Sequence, residues 1–170
     1  MFSEKHKTAG VAYPKGFTAA GVRAGIKKNG NLDVAVIYTE KEAAVAGVFT
    51  KNLVAAAPVH LSKIVVGTGT AHAIVANAGC ANACTGEQGI RDAEKMAQVA
   101  ADELHCRQDD VIVASTGLIG SNLPMDKMEA GIKDAVKKSF KGRLGQCGQC
   151  DYHDGHLLEG LRDRSRNRRR

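Results

Sequence analysis

Two stretches have residue types and spacing that could do chemistry: Asn77-Ala78-Gly79-Cys80-Ala81-Asn82-Ala83-Cys84-Thr85-Gly86 and Ser115-Thr116-Gly117-Leu118-Ile119-Gly120. Each follows an apolar, β-branched run and precedes a helical pattern. Hydroxyls, amides and bare N–H groups therefore fall at the ends of strands, where α/β proteins usually build sites. A glycine just past a strand can present its N–H with no side chain in the way, and the threonine beside it adds a hydroxyl. Two donors converging on one point form an oxyanion hole for a tetrahedral acyl-transfer intermediate, which makes Thr116 and Gly117 the candidate catalytic pair. A plain turn using glycine for its dihedral freedom gives the same pattern, and spacing alone does not choose. In the first stretch, Asn77, Asn82 and Thr85 are polar groups among Ala, Gly and Cys, and are candidates for the wall of a substrate site. The same residues also suit a tightly packed loop whose amides satisfy buried carbonyls. Cys80 and Cys84 have no His at metal spacing and read as buried, inert thiols.

The elements that must position these residues follow from periodicity. Gly16 to Asn29 reads as a strand or hairpin of low regularity, and Asn29-Gly30 is a turn signal. Val34–Tyr38 and Ala44–Thr50 read as two strands paired antiparallel across a short connection. The segment from Pro58 to Val66 fits either a short helix or a strand. Ala73–Asn77 is the next strand. A helix follows, with Thr85 as N-cap and Gln88 at capping-box spacing. Its apolar positions Ile90, Ala93, Met96 or Ala97, Ala100 and Leu104 recur at helical period. Val111–Ala114 is another buried strand. Pro124 suits a first helical turn, after which Met125, Met128, Ile132 and Val136 mark a further helical stripe. The repeated strand–loop–helix order predicts the α/β class.

Composition narrows the function classes. The chain has 170 residues, enough for one domain with a real core. Aromatic residues make up 4% and Trp is absent, so the core must be Ala, Val, Ile and Leu. No run approaches the roughly 20 apolar residues of a membrane span. Met1 to Gly16 resembles neither a secretory signal nor a transit peptide, so a cytoplasmic protein with reduced thiols is expected. The net charge of +6 is a property of the C-terminus: residues 1–141 hold 17 Lys/Arg and 14 Asp/Glu, whereas residues 142–170 hold 7 Arg and 4 acids. A basic folded face for nucleic acid is not indicated.

Several motifs in register carry a resemblance. Gly47-Val48-Phe49-Thr50-Lys51-Asn52 with Ala56-Ala57-Pro58-Val59, Ala81-Asn82-Ala83-Cys84-Thr85-Gly86-Glu87-Gln88-Gly89, Ser115-Thr116-Gly117-Leu118-Ile119-Gly120 and Leu123-Pro124-Met125 together resemble the ornithine acetyltransferase family, the bifunctional glutamate N-acetyltransferases of arginine biosynthesis. The likeness covers roughly residues 9–139, with Cys80 standing where many members carry Asn. It implies the N-terminal portion of a layered α/β sandwich of the self-cleaving DmpA type. It also implies an enzyme cut into an α chain and a β chain, associated as an α2β2 heterotetramer in the family. The new N-terminal threonine of the β chain is the nucleophile and its own amine the base. That enzyme moves acetyl from N-acetylornithine to glutamate without a bound cofactor, and some members also use acetyl-CoA. The resemblance assigns the oxyanion hole to Thr116 and Gly117. The nucleophile, the base and most substrate ligands are expected outside this chain, which by itself is expected to be inactive, unable to self-process and poorly soluble.

After about Lys141 the likeness ends, dividing the chain into an α-chain-like domain, residues 1–141, and a basic tail, residues 142–170. The last two bases of each codon joined to the first base of the next permit, from Gly142 to Leu157, Asp-Gly-Trp-Ala-Asn-Ala-Ala-Asn-Ala-Ile-Ile-Thr-Thr-Asp-Thr-Phe. This restores the Thr-Thr-Asp-Thr segment of the family, so the tail reads as out of frame and disordered. A competing reading is a small zinc- or nucleic-acid-binding protein. It rests on Cys147, Cys150, His153 and His156 and on the Arg-rich end, although that cluster is compressed relative to structural zinc sites.

Overall fold

The structure, a computed structural model, describes residues 10–141. Its elements in chain order are β1 (Phe17–Val22), β2 (Val34–Ala44), α1 (Ala57–Gly67), β3 (Thr70–Cys80), α2 (Gly86–Leu104), a 3-10 turn (Gln108–Asp110), β4 (Val111–Leu118) and α3 (Met125–Lys141). The four strands form one sheet in the order β1-β2-β3-β4. β1 and β3 each pair antiparallel with β2, and β4 lies parallel to β3 across the helical crossover α2. No helix among the described residues is long and apolar enough to cross a membrane.

Period-2 alternation of small apolar residues sends Val34 and Val36, Ala73 and Val75, and Val111 and Val113 to one face of the sheet. There they meet the helical stripes of α2 (Met96, Ala97, Ala100, Leu104) and α3 (Met128, Ile132, Ala135, Val136), all buried in one cluster. The opposite face carries a smaller cluster of Ala19, Ala35 and Ala76, with Val11, Ala12, Leu32 and Ile37 against it. With so few aromatic side chains, closeness replaces bulk: Gly131 of α3 packs so near Ala24 and Val34 that a Cβ there would collide.

Two sequence expectations change and one open reading is decided. Ala44–Thr50 is not a strand paired with Val34–Tyr38. β2 instead runs unbroken to Ala44, shifts register between Tyr38 and Ala43, and pairs with its two neighbours. Thr39-Glu40-Lys41-Glu42 offers no Gly, Pro or Asn to turn the chain, so the strand continues through it. The Pro58–Val66 segment is helix α1, with proline in its first turn where no N–H is needed. The capping box at Thr85 does not form. Thr85 Oγ1 donates to Asn82 Oδ1 at 2.7 Å, and Gln88 donates to Asp92 at 2.7 Å. The α2 stripe is borne out at Ala93, Met96, Ala97, Ala100 and Leu104, whereas Ile90 is exposed and Gly89, buried against Asn82 and Thr85, takes the inward place in the first turn. The Asn29-Gly30 turn forms as expected, with Gly30 at φ +71° and the Asn31 N–H donating to Asn29 Oδ1.

Candidate functional site

The site is built where β3 and β4 end side by side. Register pairs Asn77 with Ser115, Ala78 with Thr116, Gly79 with Gly117 and Cys80 with Leu118. Thr116 and Gly117 therefore lie within the last part of the ladder, and the first residues of the small-residue run, Asn77 to Cys80, belong to β3. This departs from the expected loops. The strands persist because both facing glycines take positive φ, +112° at Gly79 and +132° at Gly117. A Cβ on Gly117 would sit 2.6 Å from Cys80 N and 2.7 Å from Gly79 O. Glycine at 117 is thus a steric requirement of backbone approaching backbone.

The direction of the Gly117 amide follows from its neighbours. In a parallel ladder, successive residues turn their N–H and C=O groups alternately toward one side of the strand and the other. Leu118 O accepts the Ala81 N–H at 3.0 Å, on the β3 side. Val113, of the opposite parity, turns both groups to the other edge. There Ser62 of α1 donates to Val113 O at 2.5 Å and accepts the Val113 N–H at 3.0 Å. Gly117 shares the parity of Val113, so its N–H points away from the ladder, toward the edge flanked by α1. Gly117 is exposed and Thr116 half-buried.

α1 runs along this edge. Its Ser62 lies opposite Val113, and its first residue, Ala57, donates to Asn82 O at 3.2 Å. The chain around Asn82 is tied to the end of β4 by Ala81 N–H to Leu118 O and by Gly120 N–H to Ala83 O at 2.8 Å. The positive end of the α1 dipole is therefore level with Leu118–Gly120, with no acidic residue in its first turn.

The remaining predicted residues divide. Asn77 is buried in β3. Its Nδ2 donates to Cys80 O at 2.9 Å, pinning the strand end that backs Gly117. Asn77 Oδ1 and Ser115 Oγ, register partners across the ladder, are buried without a hydrogen-bond partner among the described residues. Asn82, fully buried at φ +48°, uses its side chain internally. Its Nδ2 donates to Gly89 O at 2.7 Å and its Oδ1 accepts from Thr85. Asn82 and Thr85 thus tie the loop to the first turn of α2. Of the two thiols expected to be buried, Cys80 is buried, its Sγ 3.1 Å from Ser121 O, whereas Cys84 is exposed at φ +56°. The left-handed turn rotates that side chain outward.

Sequence reasoning missed Asp33, Ser62 and Gly79. Asp33 is fully buried, and its carboxylate accepts the N–H groups of Ala24 (2.6 Å), Ile26 (2.6 Å) and Lys27 (2.9 Å). This holds the 24–27 loop on Gly79, whose missing Cβ would meet Ile26 Cγ2 at 3.0 Å and Lys27 Cγ at 3.3 Å. The available signal was a lone acid placed directly before an apolar strand and after a Gly-containing loop with no other acid. Among the described residues, no group of three or more His, Cys, Asp and Glu could hold a metal ion. Cys147, Cys150, His153, His156 and the Arg-rich end lie outside the described residues, as does the out-of-frame reading.

Comparison with known proteins adds the family. The model of the ArgJ family matches residues 18–150, past the boundary at 141 expected from the motifs. The arginine biosynthesis bifunctional protein ArgJ of Symbiobacterium thermophilum is 54% identical over 129 residues, which are 75% of this chain and 32% of that relative. Among solved structures, ornithine acetyltransferase from Mycobacterium tuberculosis, complexed with ornithine, matches with TM-score 0.76 and 46% identity. That match covers 78% of this chain and 72% of the other. The ArgJ protein of Bacillus halodurans matches with TM-score 0.73 and 37% identity over the same shares. These solved folds agree with the α/β class and N-terminal portion expected from the sequence. The chain spans about a third of the length of the curated relatives it matches. A family match over most of the chain, with the same fold in the solved structures, means that this chain belongs to the ArgJ family.

Proposed function

We propose that this chain provides the oxyanion half of an acetyl-transfer centre that moves acetyl from N-acetylornithine to glutamate. The observation that carries the reading is the Gly117 N–H, turned out of the ladder at an exposed strand end beside the Thr116 hydroxyl. In this scheme a threonine at the N-terminus of a second polypeptide attacks the acetyl carbonyl, and its own amine takes the hydroxyl proton. The carbonyl oxygen becomes an oxyanion that accepts from Thr116 and Gly117. The positive end of α1 adds favourable potential. The C–N bond then breaks, ornithine leaves with the proton, and an acetyl ester remains on the threonine. The amine of glutamate attacks that ester through the same oxyanion geometry, releasing N-acetylglutamate and the free threonine. Acetyl-CoA would enter the same ester as a second donor. Asn77 acts one step back, by holding the Cys80 carbonyl, and through it the backbone behind Gly117. Asn82 and Thr85 shape the wall by fixing the loop.

The division into two polypeptides is supported by size. A match of 129 residues is 32% of the Symbiobacterium relative, a protein of about 400 residues. By contrast, 78% of this chain answers to 72% of the crystallised Mycobacterium chain, a polypeptide of about 185 residues. The reading expects no transfer by the 170-residue chain alone. Co-expression with the C-terminal polypeptide of the Symbiobacterium relative should restore transfer from N-acetylornithine to glutamate. In that complex Thr116→Val should lower kcat by about 10²-fold, with little change in KM, as loss of one oxyanion donor does. Full activity in Thr116→Val, or transfer by the chain alone, would overturn the proposal.

A further inference from the structure

We infer that Asp33 is a positioning residue of the acetyl-transfer centre: its buried carboxylate, on the β2 side of β3, sets where the Gly117 N–H stands at the open edge of β4. The inference rests on the acyl-transfer reading above and adds the group that fixes its outward donor.

Asp33 is fully buried directly ahead of β2, and backbone N–H groups meet its charge. Oδ1 accepts from Ala24, and Oδ2 accepts from both Ile26 and Lys27. Its own N–H donates to Val22 O at 2.9 Å, and its carbonyl accepts the Ala78 N–H at 2.8 Å. One residue thus binds the end of β1, the loop that follows it, and β3 one residue ahead of Gly79. Gly79 bears that loop: a Cβ there would stand 3.0 Å from Ile26 Cγ2 and 3.3 Å from Lys27 Cγ. Gly117 in turn rests on Gly79, since a Cβ on Gly117 would stand 2.7 Å from Gly79 O. Neither glycine has a side chain to absorb a shift of the loop, so a shift passes to the strand end.

The residue type suits this task. A carboxylate offers two acceptor oxygens, both of which are used here, and its charge-assisted bonds are short and directional. An amide has a single acceptor oxygen. In Asp33→Asn that oxygen keeps either the Ala24 bond or the Ile26 and Lys27 bonds, and the NH2 group faces the N–H left over. An acid that only closed a loop would serve the fold alone. A donor to an oxyanion must also stand in place before charge develops. Misplacement by about 1 Å can cost about a hundredfold in rate.

The test reads the strand end and the chemistry separately. In the full 170-residue chain, Asp33→Asn should accelerate amide exchange at Ala81, whose N–H donates to Leu118 O beside Gly117, by at least about tenfold. Ile26→Ala leaves the carboxylate in place and removes the side chain that comes nearest Gly79, so it should accelerate Ala81 as well. Leu104→Ala, a core change at the far end of α2, should leave Ala81 as in wild type. In the complex co-expressed with the C-terminal polypeptide of the Symbiobacterium relative, Asp33→Asn and Ile26→Ala should each lower kcat by about 10–100-fold with KM little changed, whereas Leu104→Ala keeps the wild-type kcat. Wild-type protection of Ala81 in Asp33→Asn, or a wild-type kcat, overturns the inference. If Asp33→Asn does not fold, the same outcomes in Ile26→Ala overturn it. A wild-type complex that transfers no acetyl refutes the acyl-transfer reading, and exchange at Ala81 then decides by itself whether Asp33 sets the strand end.

Discussion

Gly117→Ala should cost far more stability than any other glycine substitution at this end of the sheet. Two contributions separate. The backbone at φ +132° is a conformation that side chains with a Cβ rarely adopt, worth about 1–3 kcal/mol. The added methyl would also lie 2.6 Å from Cys80 N and 2.7 Å from Gly79 O, where ordinary contact begins near 3.4 Å. The two strand ends must then part by about 1 Å, because the Gly79 carbonyl carbon lies nearer still to that methyl. These atoms are backbone and cannot rotate aside. They are anchored by Asn77 on Cys80 O and by the Ala81–Leu118 bond, so parting the strands strains or breaks bonds worth about 0.5–1.5 kcal/mol each. The sum is about 2–6 kcal/mol, against a typical total of about 5–15 kcal/mol. Gly120 provides the internal control. It also has positive φ, +78°, but a Cβ there meets nothing within 4 Å, so Gly120→Ala should cost only the left-handed penalty of about 1–2 kcal/mol. Urea unfolding of the two variants, followed by far-UV circular dichroism, measures the difference directly. Equal losses, within about 0.5 kcal/mol of each other, would refute the close approach of Gly79 and Gly117 on which the site geometry rests.

Other consequences are more local. Ser62→Ala should leave both backbone groups of Val113 without their partner, at about 2–4 kcal/mol, and amide exchange at Val113 should accelerate while exchange in β2 does not. Asn82→Ala should lose about 2–4 kcal/mol by removing the bonds to Gly89 and Thr85 and by placing Ala at φ +48°. A double-mutant cycle with Thr85→Ala should show coupling, and additive effects would mean the two side chains do not share a bond. Among thiols of the described residues, partial alkylation at pH 8 followed by peptide mapping should find Cys84 modified first, then Cys106, then buried Cys80. Burial, followed by the Asp110 carboxylate, pushes the Cys106 thiol above its ordinary 9.0. The folded state therefore holds that proton more firmly than the unfolded one. Its contribution to stability is present below pH 9 and lost as pH rises through the folded value, so unfolding should become easier at high pH. Replacing Cys106 with Ser should flatten that alkaline decline.

What the sequence disclosed and what it withheld separate along a physical line. The strands around Val36, Val75 and Val113 and the helices carrying Met96 and Ile132 were legible because burial on one face imposes a period that a single segment carries by itself. The segment after Pro58 was ambiguous for a local reason: Val59, Ile64, Val65 and Val66 are β-branched, so propensity and period disagree, and the burial of Ser62 and Val65, with Ser62 bonded to Val113 of β4, decides for helix. The false strand at Ala44–Thr50 came from the same propensity without a packing partner to realise it. In the site, Thr116 and Gly117 could be chosen by residue type alone. The direction of the Gly117 amide could not, because it follows from a parity shared with Val113 and made visible by Ser62, 51 residues away. Likewise the left-handed turn at Asn82 and the buried role of Gly89 depend on each other, and neither residue announces the pair.

The site geometry is transmitted through backbone, and this explains its composition. Asp33 gathers the N–H groups of Ala24, Ile26 and Lys27. That loop lies on Gly79, Gly79 lies on Gly117, and beyond Gly117 is the open edge. No side chain separates the last two layers, so the amide cannot shift by rotamer change. Its position is set by one buried carboxylate, one amide bond from Asn77 and two glycines. An arrangement of this kind meets the demand of oxyanion stabilisation, in which donors must already stand in place before charge develops and gain nothing by moving later. It also tolerates poorly the substitutions usually regarded as mild. On the oxyanion reading proposed above, a methyl at Gly117 should act on the site as strongly as removal of a donor, because it displaces the strand end that bears the amide. The small-residue runs that first mark this chain are thus the condition for holding two bare strands close enough to aim one N–H outward.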